Sequence, residues 1–154
     1  MRKSATSLSF VFLVIFFLLF VPAGIEPEGA PKGLQGMPKG LLSVYFIDVG
    51  QGDAILVRAP SGKTLLIDGG ERSAGHIVTS FLRAKGVKRL DYIVSTHPHA
   101  DHIGGLLEVV NEFPVGRVYD SGKIHPTRTY EDYLRLIERK KIPFELARAG
   151  KTID

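Results

Sequence analysis

Cysteine is absent from the 154 residues. That excludes disulfides, thiolate metal ligands and attachment of a lipid through a thiol, and it leaves export possible without requiring it. Charge of one sign is scarce as well. The formal net charge is +4, of which Arg2 and Lys3 account for two, so the remainder carries 4 − 2 = +2. Such an excess is compatible with a polyanionic substrate and is no argument for one. Internal repeats are missing too. What is present is a balance of 44% hydrophobic and 23% charged residues, which suits a globular chain of one domain at most.

Residues 1–23 read as a targeting segment. Arg2 and Lys3 form a positive start, and Leu8 to Val21 is apolar except for Ser9. That stretch matches a signal-peptide core and falls short of the roughly 20 residues that span a bilayer. Phe10, Phe12, Phe16, Phe17 and Phe20 would lie on every side of a helix without a polar stripe, which argues against a buried core helix. Val21-Pro22-Ala23 offers a small residue for cleavage; an uncleaved anchor that keeps membrane contact is the alternative. Both readings expect an exported protein, secreted or held at the outer face of the membrane. Residues 24–40 are rich in proline and glycine and read as a flexible linker, so the domain is expected over 41–154.

Within the domain, Leu42 to Asp48 is strand-like, Gly50-Gln51-Gly52-Asp53 turns the chain, and Ala54 to Arg58 runs back. Pro60-Ser61-Gly62-Lys63 is a hairpin turn into a strand at Thr64 to Ile67. Ser73 is placed to cap a helix reaching about Lys85, with Ile77, Val78, Phe81 and Leu82 on one face. His76, in its first turn, is expected to be exposed. Leu90 to Ser95 is a continuous apolar run of the kind buried on both faces. Ile103, Leu106, Leu107 and Val110 repeat at helical spacing up to Pro114, and Val115 to Tyr119 is strand-like. Thr129 with Asp132 resembles a capping pair for a helix that buries Tyr130, Tyr133, Leu134 and Ile137 and ends near Lys141, where Arg139-Lys140-Lys141 suits the negative helix end. Pro143 to Arg148 suggests one more strand.

Between a buried strand and a helix start lies Thr96-His97-Pro98-His99-Ala100-Asp101-His102, followed by Gly104-Gly105. His97, His99, Asp101 and His102 put imidazole nitrogen and carboxylate oxygen within one short loop, a donor set for zinc, and for manganese or iron. The plainer reading, histidines that merely cap the next helix, does not account for four potential ligands at this spacing. Strand ends of this kind are where α/β folds place ligands. Asp48 and Asp53 flank the glycine turn, and the turn and the site account for them equally well. His125, in a polar loop, is expected to be solvated, with contact to substrate as the alternative.

The His97-x-His99-x-Asp101-His102 motif, with Asp48-Val49-Gly50-Gln51-Gly52-Asp53-Ala54 and Leu65-Leu66-Ile67-Asp68-Gly69-Gly70 before it, resembles the metallo-β-lactamase superfamily. Within it, the series is similar to the branch containing the carboxy-terminal domain of the competence protein ComEC; a true β-lactamase fits this series less well. The resemblance covers residues 42–154. It implies an α/β fold, the metallo-β-lactamase-like αβ/βα sandwich, with these residues forming its N-terminal half. It implies two divalent metal ions, zinc foremost: His97 and His99 on the first, Asp101 and His102 on the second. Asp101 would also take the proton from the incoming hydroxide, and Asp68 would orient the loop by hydrogen bonding. The implied activity is hydrolysis of an ester-type bond, with a phosphodiester in DNA or RNA, or a small ester, as substrate. The family pattern draws a further histidine for the first metal, a bridging aspartate and a histidine for the second from later segments. Asp120, His125 and Asp154 do not stand in that setting. The expectation is therefore a shortened or split domain, weakly metal-binding alone, which a second chain could complete. The competing reading is a non-catalytic exported fragment that binds metal or polyanions.

Overall fold

The computed structural model describes residues 40–153. The targeting segment expected at 1–23 and nearly all of the linker expected at 24–40 lie outside the described residues. Among those described, no helix is long and apolar enough to cross a membrane.

Six strands form one sheet in sequence order: β1 (Ser43–Phe46), β2 (Ile55–Arg58), β3 (Thr64–Ile67), β4 (Leu90–Ser95), β5 (Val115–Asp120) and β6 (Phe144–Leu146). The first two pairings are antiparallel, joined by the tight turns read from the sequence; β3 to β6 run parallel, joined through helices. Those helices are α1 (Gly75–Ala84), α2 (Ala100–Ile103) with α3 (Leu106–Glu112), and α4 (Arg128–Arg139). A parallel neighbour cannot be reached by a short hairpin, so each crossover needs a helix-length connection. Because strand order never reverses, every helix follows the same sense of winding, and α1, α3 and α4 pack in series.

Register decides which side chains face those helices. Tyr45, Leu56, Leu66, Ile93, Val118 and Phe144 form one row across all six strands. Its four central members are fully buried and join one core with Val78, Leu82, Ile103, Leu106, Val110, Tyr133 and Ile137. Each such buried aliphatic contributes about 1.5–3 kcal/mol. The opposite face is another matter. Val44 and Phe46 are 47% and 78% exposed, and Ile55, Val57, Leu65, Ile67, Tyr92 and Val94 are only half-buried. The expectation that β4 is buried on both faces thus holds for the helix side alone, because among the described residues the core forms on that side only.

Two caps differ from expectation. Ser73 does not cap α1: Arg72–Ala74 form a 3₁₀ turn and the Ser73 hydroxyl turns back to Glu71 Oε2. For α4 the cap is Thr127, whose Oγ1 accepts from Tyr130 N at 3.5 Å, rather than Thr129. For α4 a second hydroxyl two residues away was available, and the path of the incoming chain chose between them, whereas α1 begins without a side-chain cap.

Candidate metal centre

The loop from Thr96 to His99 leaves the carboxyl end of β4 and enters α2 at Ala100. His97, Asp101 and His102 are half-buried there, and His99 is exposed. The imidazoles form a continuous row. Ring centres lie 3.9 Å apart for His97 and His102 and 4.7 Å apart for His97 and His99.

Asp68 stands behind them, only 1% exposed, at the end of β3. Its backbone is in the left-handed region (φ 54°), which aspartate tolerates better than most residues, and this turns the carboxylate toward the loop. Oδ1 accepts from Thr96 N at 2.8 Å; Oδ2 accepts from Thr96 Oγ1 at 2.5 Å and from His102 Nδ1 at 2.9 Å. The Thr96 hydroxyl has one proton. Given to Asp68, it leaves the oxygen free to accept from His97 Nδ1, 3.1 Å away. Asp68 thereby fixes the proton of both rings on Nδ1, directly for His102 and through Thr96 for His97. Both Nε2 lone pairs remain for a cation.

Ligand atoms of Asp68, His97 and His102 all lie within 4.8 Å of one another, the spread of a metal-binding set. Both oxygens of Asp68 are already engaged by Thr96 and His102. The donors are nitrogen and oxygen, which fits a borderline or hard divalent ion.

The turn after β1 closes the site from the other side. Gln51 Nε2 donates to Asp101 Oδ2 at 3.4 Å, and Asp53 Oδ2 lies 3.7 Å from His102 Nδ1. Asp53 is therefore at the site, while Asp48 serves the turn, accepting from Gly50 N at 3.2 Å. This turn can lie so close only because of Gly52: a Cβ there would sit 1.6 Å from the Asp101 carbonyl oxygen. Gly105 has the same function behind the loop, where a Cβ would sit 2.0 Å from the Gly69 oxygen. Gln51 and Thr96 were not singled out as site residues from the sequence, and Asp53 stood open between turn and site; the glycines around Gln51 were the available signal.

Burial lowers the His97 pKa, reinforced by His102 and His99 and only partly opposed by Asp68 and Asp101. For Asp101 burial acts upward, but the Gln51 hydrogen bond, its own backbone amide and the neighbouring His102 and His99 outweigh it, leaving the carboxyl below its ordinary value. A neutral His97 and an ionised Asp101 are the states that ligation requires. His76 is exposed, as expected, and takes no part. His125 is not remote: its ring centre lies 5.0 Å from that of His99.

Residues 47–152 match the family model described as the metallo-beta-lactamase superfamily. The chain is 34% identical to ComE operon protein 3 of Bacillus subtilis (strain 168) over 107 residues, 58% of this chain and 12% of that protein. It is 36% identical over 86 residues to competence protein ComA of Neisseria gonorrhoeae, covering 55% of this chain and again 12% of the relative. The chain thus spans about 12% of the length of these curated relatives. Among solved structures it is similar to a metallo-β-lactamase of Cronobacter sakazakii (Enterobacter sakazakii), an HARLDQ-motif mutant, with a TM-score of 0.52 and 20% identity over 72% of this chain and 46% of that one. At that identity the likeness speaks for the fold alone.

Proposed function

The chain belongs to the metallo-beta-lactamase superfamily, with competence-type relatives, and from that membership we propose a metal-dependent hydrolase that cleaves phosphodiester or other ester bonds at a dinuclear site. The observation that carries the reading is the pair of histidines, His97 and His102, whose Nδ1 protons are held through Asp68 so that both Nε2 atoms are free. His97 and His99 would hold one cation, and Asp101 with His102 the other. Divalent ions bound there supply Lewis acidity and lower the pKa of water to about 7. The chain's own contribution is orientation and proton transfer. Gln51 engages Oδ2 of Asp101, leaving Oδ1 to receive a proton from the attacking water. Asp68, buried and fully bonded, keeps the loop from relaxing when charge develops beside it.

Two protein ligands for each cation are fewer than the three or four a zinc site takes. Weak loading and slow turnover are therefore expected of this chain alone, with a gain when a second polypeptide supplies further ligands. The half-buried apolar face of the sheet, with Phe46 at its edge, is the surface such a partner would cover. The apolar run from Leu8 to Val21 supports a location outside the cytoplasm.

The test is metal analysis after loading with zinc, manganese or iron, alongside hydrolysis of a bis-aryl phosphodiester and of an aryl carboxylic ester. Metal-dependent turnover that is lost in Asp101→Ala, with the fold retained and metal content lowered by no more than the cation Asp101 shares with His102, supports the hydrolase. Metal uptake with no turnover of either ester, even with a second half added, favours the non-catalytic binding fragment instead.

A further inference from the structure

The polar loop after β5 carries His125 to the edge of the site, and it is built to do so. Asp120, the last residue of β5, is fully buried beside Ser95, its register partner on β4. Asp120 Oδ2 accepts from Ser95 Oγ at 2.8 Å; Oδ1 accepts from Gly122 N at 2.7 Å and from Tyr130 OH at 3.3 Å. Tyr133 OH adds a 3.5 Å contact to Ser95 Oγ from beneath. One buried carboxylate thereby ties together the strand that leads into the metal loop, the start of the 121–127 loop and the first turn of α4. At the far end, Thr127 closes the loop by capping α4, and its N–H donates to the His125 carbonyl at 2.9 Å. Between these anchors the chain alternates. Ile124 is 88% exposed and Pro126 is exposed, while His125 is half-buried and turned toward His99.

His125 thus extends the row of imidazoles at the metal loop. Among the described residues, however, the set of ligand atoms lying within 4.8 Å of one another is Asp68, His97 and His102, and His125 does not join it. His99 and Asp101 stand outside that compact set as well; what sets His125 apart from the metal loop is its place on the loop after β5, with its ring beside that of His99 and near enough to touch what the site holds. His125 also lines a groove of about 740 Å³, together with Ile124, Thr127, Arg128, Glu131 and Leu134. That volume is in the range of pockets that take small organic molecules.

We propose that His125 is a substrate-contacting residue: its ring N–H donates to an anionic oxygen of the group undergoing hydrolysis, and the organic substituent of the substrate lies in the adjoining groove. This rests on the hydrolase reading above and adds to it the residue that recognises the anion. Neither a metal nor the chemistry at Asp101 is changed by it. The contact gives a phosphodiester a hydrogen bond that no metal ligand supplies, and it selects an acceptor oxygen on the His99 side of the site.

The experiment uses the full chain, metal-loaded, as wild type, His125→Ala and His125→Gln. Metal content is measured by elemental analysis, and binding of inorganic phosphate and of acetate by calorimetric titration. The expected result is unchanged metal content, phosphate binding weakened about ten- to a hundred-fold in His125→Ala as befits a lost bond to a charged acceptor, and partial recovery in His125→Gln, whose amide N–H can donate. Where turnover is measurable, KM for the bis-aryl phosphodiester rises more than kcat falls. Metal loss in His125→Ala overturns the proposal by making His125 a ligand. Unchanged anion binding overturns it by leaving the ring merely solvated. If the wild type binds acetate and not phosphate, the phosphodiester reading fails by itself, and His125 is judged on acetate by the same comparison. If the wild type binds neither anion, the proposal fails.

Discussion

Replacing Asp68 separates its two functions, holding the loop and setting the ring protons. In Asp68→Ala three partly exposed donors lose their buried acceptor: Thr96 N, Thr96 Oγ1 and His102 Nδ1. Water can reach these donors once the carboxylate is gone, so each lost bond costs about 0.5–1.5 kcal/mol and a net loss of about 2–4 kcal/mol is expected. Asp68→Asn is the sharper probe. Its carbonyl can still accept from Thr96 N, but its amide now faces His102 Nδ1 as a donor. The ring must answer by moving its proton to Nε2, the atom left for the cation. Stability should then fall by only about 1–2 kcal/mol, while metal affinity drops about 10–100-fold. Urea unfolding of the metal-free chain gives the first quantity and chelator competition the second; nitrogen NMR of the histidines reports the tautomer directly. Wild-type metal affinity in Asp68→Asn would refute the argument. Weak metal binding with the proton still on Nδ1 of His102 would also refute it, by showing Asp68 to be a ligand in its own right.

Further expectations follow from single contacts. Gly52→Ala should lose about 2–3 kcal/mol in thermal unfolding, because both its backbone (φ +86°) and the Asp101 carbonyl oppose a side chain, whereas Gly50→Ala, with nothing within 4 Å, should lose only about 1 kcal/mol from its φ of +75°; equal losses would mean that the turn does not press on the metal loop. Tyr133 is held well above its ordinary pKa by burial, with the Ser95 hydrogen bond only partly opposing and Asp120 reinforcing. The unfolded chain releases that proton near 10 and the folded chain does not, so stability should fall as pH rises through about 10; Tyr133→Phe should flatten that fall in urea midpoints. At the acid side, His97 is lowered, so the unfolded chain protonates first and the metal-free fold should weaken as pH falls below about 6.5. Asp101, also lowered, adds to the loss only below its ordinary carboxylate range. A urea midpoint that rises between pH 7.5 and 5.5 would contradict the His97 assignment.

Much of the fold is written locally. The strands at Thr64–Ile67 and Leu90–Ser95 fall where apolar runs between turn residues put them, and the metal loop is legible because its ligands are adjacent in the chain. Hydrophobic period and ligand spacing are short-range properties, so a linear reading recovers them. The tertiary structure decided what depends on separation. Gln51 meets Asp101 across fifty residues, and His125 meets His99 from a different crossover, in a loop whose composition looks like that of any solvated turn. Asp120 reads as a polar loop residue; only the β4–β5 register sets it beside Ser95 and beneath α4, where it is fully buried. Phe46 lies in a strand-like apolar run and is 78% exposed, because alternation along a strand says that two faces differ without saying which one is covered. The chain's own residues fix the chemistry available; which of them share one site is fixed by strand order and register, which no single segment contains.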